Sequence, residues 1–170
     1  MELRLIAKHF LNSREFDLGY WWIDGLTFEV AEAASDRELL AALIADPWYH
    51  HSYAKPRADF PDGDGVEIHG PFRVSAIRPE VFMRTDGEIA QTRLDGWLTR
   101  NGSTPAATDA FRDLIRQLLP IGHRIFELPD LDEASRHEWG WAVGSGAGFV
   151  EYVAISPDST TLNLLVATDD

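Results

Sequence analysis

The spacing of apolar residues constrains this chain more than any other feature: it runs near 3.6 in two segments and near 2 in most of the others. The first helical segment opens on Ser35-Asp36-Arg37-Glu38. A serine followed three residues later by glutamate is a capping box, each side chain satisfying a backbone N–H that the first turn leaves over. Leu39, Leu40, Leu43 and Ile44 then share one face, and Asp46-Pro47 predicts the stop, since proline disfavours helix in the residue before it. The second helix opens on Ser103 or Thr104 with Pro105 in the first turn. Its buried face reads Phe111, Leu114, Ile115 and Leu118, with Asp109, Arg112 and Asp113 turned to water, and Pro120 and Gly122 end it.

The rest alternates. Leu3, Leu5 and Ala7 predict a first half-buried strand. Residues 19–23 and 26–30 predict two aromatic-rich strands, with Asp24-Gly25 as a hairpin turn between them. Residues 66–77 carry strand character, with Phe72, Val74 and Ala76 on one face, and residues 80–98 carry weaker strand signals broken by Asp86-Gly87 and Asp95-Gly96. Residues 124–128, 139–143, 149–155 and 162–166 complete the set, the last two joined by turn residues at 156–159. Neighbouring strands joined by tight turns pair antiparallel. The expectation is an α+β fold: a mainly antiparallel sheet of about seven strands, two main helices packed on one face, and a single domain over residues 1–170.

Charge narrows the partners. The net charge is −13, and residues 121–170 carry nine acids against two arginines. Such a surface repels nucleic acid and anionic lipid and favours a basic protein. Thirteen arginines against two lysines read as codon bias of a GC-rich bacterial genome rather than as a binding signal. The absence of cysteine removes disulfides, thiol nucleophiles and thiolate metal sites together. The N-terminal residues lack the pattern of a signal peptide, and no apolar run approaches the ~20 residues of a membrane span, so a cytoplasmic location is expected.

Chemistry-bearing residues gather at one place, an irregular stretch from 50 to 65 holding His50, His51, Asp59, Asp62 and Asp64. Imidazole with carboxylate suits acid–base work, which makes His50, His51, Asp62 and Asp64 the catalytic candidates. No metal is expected: adjacent histidines point apart in extended chain, and Asp62-Gly63-Asp64-Gly65 lacks the later ligands of a calcium loop. His137-Glu138 is followed by Trp141 where a zincin helix requires histidine. The glycines of 144–148 lie between two strands, so they lack the helix N-terminus that dinucleotide binding requires, and no cofactor is implied. Six tryptophans are many for this length; most are expected in the core, with one or more left for a partner.

Three functions fit. The first is a small acidic non-enzymatic protein, immunity- or inhibitor-like in composition, that binds a basic macromolecular partner through Glu127, Asp130, Asp132, Glu133 and Trp139. The second is a small enzyme or ligand-binding domain built on the 50–64 loop and nearby tryptophans, recognisable by a preformed pocket lined with histidine and tryptophan. The third is a homo-oligomeric structural subunit, recognisable by a large exposed apolar patch. Oligomeric state is left open by the sequence.

Overall fold

Two strands at the centre of the sheet explain most of the architecture. Residues 150–155 and 161–169 are buried at almost every position, not at every second one, and their apolar residues fall on both faces. A strand of that kind must be covered on both faces. The computed structural model, which describes residues 2–32, 34–54, 67–144 and 148–169, shows that cover. Six strands form one sheet in the order β1 (Leu3–Asn12), β2 (Trp21–Val30), β8 (Thr161–Asp169), β7 (Val150–Ile155), β6 (Arg124–Leu128) and β5 (Met83–Thr85). Every neighbouring pair is antiparallel. A separate two-stranded hairpin joins β3 (Ile68–His69) to β4 (Phe72–Arg73).

Among the described residues three α-helices cover the sheet, and they do not share a face. Helix α1 (Asp36–Ala45) packs Leu39, Leu40 and Leu43 with Leu26, Phe28, Leu162 and Leu164 on one side. Helices α2 (Gly87–Arg100) and α3 (Pro105–Leu118) pack Leu94, Trp97, Phe111 and Leu118 with Trp21, Ile23, Tyr152 and Leu165 on the other. The antiparallel α+β class holds; the placement of both main helices on one face is corrected, because β7 and β8 present apolar side chains in both directions.

The capping box is formed as expected: Ser35 receives the Glu38 N–H, and Glu38 Oε2 accepts from the Ser35 N–H at 2.9 Å. Thr104 caps α3 and Pro105 occupies its first turn. Leu114 is only half-buried, at the margin of the face rather than its centre, while Phe111, Ile115 and Leu118 are buried.

Other expectations fail for identifiable reasons. Asp24-Gly25 is not a turn: β2 runs straight through it, Gly25 pairing with both His9 and Leu165. The glycine answers a packing need, since a Cβ there would lie 2.4 Å from Leu118 of α3. Residues 87–100 are helix rather than strand, because Asp86 is an N-cap that accepts from the Glu88 N–H at 2.7 Å. From there Ala90, Leu94, Trp97 and Leu98 form a buried helical stripe. Residues 139–143 hold a 3-10 turn (Gly140–Ala142) instead of a strand. In β1 a bulge between Leu5 and Ala7 breaks the alternation, so Ala7 no longer shares the face of Leu3 and Leu5.

Candidate functional site

The stretch singled out for chemistry divides in two. Asp59, Asp62 and Asp64 lie outside the described residues. His50 and His51 are described, and they point apart. His50 is half-buried, with Nε2 at 2.9 Å from the Ile44 carbonyl. His51 is buried, and its Nδ1 accepts the Tyr53 N–H at 3.0 Å. Among the described residues no three His, Cys, Asp or Glu side chains converge as a metal site would require.

A buried polar network stands beside His51 instead. Glu151 projects from β7 into the α1 layer with no exposed surface. Its Oε1 accepts the Tyr49 hydroxyl at 2.9 Å, and its Oε2 lies 2.5 Å from His69 Nε2. His69 Nδ1 faces the Tyr49 carbonyl at 2.5 Å. A carbonyl only accepts, so Nδ1 carries a hydrogen, and Nε2 and the Glu151 carboxyl share a single proton between them. The Tyr49 ring stacks on the imidazole, centroids 3.6 Å apart and planes 6° from parallel. Burial, then the Glu151 charge, pushes the Tyr49 hydroxyl well above the ordinary phenol range.

Tyr53 and Phe149 close the ring around His69 with edge contacts. Local backbone makes this possible. Gly70 sits at φ +53°, and a Cβ there would come within 2.4 Å of the Phe149 ring. Acid–base pairs of this composition serve catalysis where substrate reaches them. Here every polar atom of the three side chains is spent inside the network, which ties the chain after α1 and strand β3 to the centre of the sheet.

Phe72 and Phe149 separate that network from an open groove on the surface. The groove encloses about 330 Å³, with Phe72, Phe149, Leu128 and Val143 as its apolar walls and Asp130, Arg136 and Trp141 at its rim. Trp141 is 70% exposed and Trp139 63%. The supporting turn is pinned by backbone: Arg136 bridges Phe72 in antiparallel fashion, and the His137 N–H reaches the Pro71 carbonyl at 3.2 Å. His137 Nδ1 accepts the Trp139 N–H, so its Nε2–H donates to the Gly70 carbonyl at 2.9 Å. Gly140 has no room for a side chain, since a Cβ would meet the Pro71 carbonyl oxygen at 2.3 Å.

Of the five partner-binding candidates, Asp130 lines the groove and three others follow it on the same segment. Asp130, Asp132, Glu133 and Trp139 all lie exposed on the segment that borders the groove. Asp132 also caps the turn that follows it, accepting from the Ser135 N–H at 3.0 Å. Glu127 is elsewhere: its side chain, 16% exposed, points into the opposite layer and pairs with Arg93 of α2. There it helps burial hold the neighbouring Tyr152 hydroxyl up at about 12.

Sequence reasoning missed Tyr49, Glu151, Arg136 and Trp141. The one available signal was alternation in β7, which aligns Glu151 with the inward-facing Val153 and Ile155. No protein family, curated protein or solved structure matches the chain, so these assignments rest on its own geometry.

Proposed function

We propose that the protein is a non-enzymatic binding protein that engages a basic region of a macromolecular partner through the groove bordered by residues 130–141. One observation carries this reading. Trp141, more than half exposed, borders the groove, and the equally exposed Trp139 lies two residues before it, within a segment holding four carboxylates (Asp130, Asp132, Glu133 and Glu138) against one guanidinium. Exposed tryptophan is costly to leave in water and is enriched where partners dock. A rim of carboxylates attracts and orients a basic surface. The Tyr49–His69–Glu151 network is assigned to structure, because a group with no exposed surface does not meet a substrate.

The test is kinetic. A partner captured with the wild-type protein is measured against a variant with Asp130→Asn, Asp132→Asn and Glu133→Gln. Asparagine at 132 retains a capping oxygen, so the fold is expected to survive. Association should slow in the variant, and in the wild type it should slow as salt rises, the screening length shrinking from about 10 Å at 0.1 M to about 3 Å at 1 M. An acidic partner, or rates indifferent to both salt and the triple change, defeats the reading.

A further inference from the structure

The groove already holds a cation, and it is the protein's own. The Arg136 guanidinium lies over the Phe72 ring, 5.3 Å from its centroid. One of its nitrogens is 2.6 Å from Asp130 Oδ1, and Nε is 3.7 Å from Glu133 Oε2. The two carboxylates remain open to water, their side chains 77% and 95% exposed. Ion pairs exposed to that degree are weak, so the guanidinium is held mainly by fit.

Resting on the function proposed above, we propose that the partner group received by this groove is an arginine side chain, which takes over the place Arg136 occupies in the free protein. The exchange is close to balanced at the acids: the incoming guanidinium makes the pairs that Arg136 gives up, and Arg136 is released to water. The surplus comes from the Trp141 face at the rim, which Arg136 does not use for stacking. Lysine does not substitute, because a compact ammonium lacks the planar fork for carboxylate and stacks poorly on an aromatic face. Loss of the Arg136 side chain leaves the turn in place, since the backbone bridge to Phe72 and both His137 bonds do not involve it.

Two blocked peptides, Gly-Arg-Gly-Arg-Gly and Gly-Lys-Gly-Lys-Gly, are titrated at low salt while the Trp139 and Trp141 indole N–H resonances are followed. The arginine peptide should bind the wild-type protein several-fold more tightly than the lysine peptide. Arg136→Ala should tighten the arginine peptide about tenfold and the lysine peptide far less, by the freed carboxylate charge alone, and adding Asp130→Asn should remove most of the arginine gain. Arg136→Lys, which keeps stem and charge but lacks the fork, should move affinity the same way and covers loss of fold in the alanine variant. Equal affinity for both peptides, or no gain in either Arg136 variant, overturns the arginine inference and leaves the acidic groove standing. Silence of both indole resonances with both peptides in every variant defeats the groove itself.

Discussion

At the scale of single residues, Glu151 holds the greatest leverage. Its carboxyl accepts from Tyr49 and shares a proton with His69, all three side chains being shut off from water. Removing one partner of a buried pair costs about 3–5 kcal/mol, mostly because the remaining groups stay buried and unmet. Glu151→Ala should therefore lower stability by that amount in denaturant titrations. Glu151→Gln should cost far less, because its amide oxygen still accepts from Tyr49 and its NH₂ donates to neutral His69. Equal losses in the two variants would show that the network contributes volume rather than hydrogen bonds. Neither partner of Glu151 is visible from its own neighbourhood, as Tyr49 and His69 lie 102 and 82 positions away.

At the scale of elements, helix ends and helix interiors behave differently. The start of α1 is encoded within four residues, and its bonds are those that the capping box predicts. Ser35→Ala should lower the denaturant midpoint, the cost being about 0.5–2 kcal/mol; an unchanged midpoint with an unchanged slope would place the helix start elsewhere. Helix α2 was hidden by Asp86-Gly87 and Asp95-Gly96, which read as turns. The first is a cap, and the second is carried in mid-helix despite a propensity cost of about 1 kcal/mol for glycine. What offsets it is tertiary: Ala90, Leu94, Trp97 and Leu98 are buried against the sheet, and Asp95 pairs with Arg112 of α3 at 2.8 Å.

At the scale of the whole molecule, two helical layers share one sheet, which keeps them about 20 Å apart given roughly 10 Å between packed layers. Substitutions in the two layers should then act independently. Leu43→Ala under α1 is expected to cost about 2–5 kcal/mol, and Ile115→Val under α3 about 0.5–1.5 kcal/mol. The double variant should lose the sum of the two to within about 0.5 kcal/mol. A coupling energy above about 1 kcal/mol would mean that the sheet transmits repacking from one layer to the other.

By itself the sequence determined the antiparallel α+β class, the limits of α1 and α3, the turn between β7 and β8, and the acidic, tryptophan-bearing character of the segment at 130–139. Each of these is written in local signals: caps, periodicity and turn residues act within a few positions of one another. Only the tertiary structure decided that β2 passes unbroken through Asp24 and Gly25, that the helices lie on opposite faces, and that Glu127 turns away from the other acids. It alone joined Tyr49, His69 and Glu151 behind the groove. These outcomes depend on which distant side chain fills a given space, as Leu118 does above Gly25, and no local pattern carries that information.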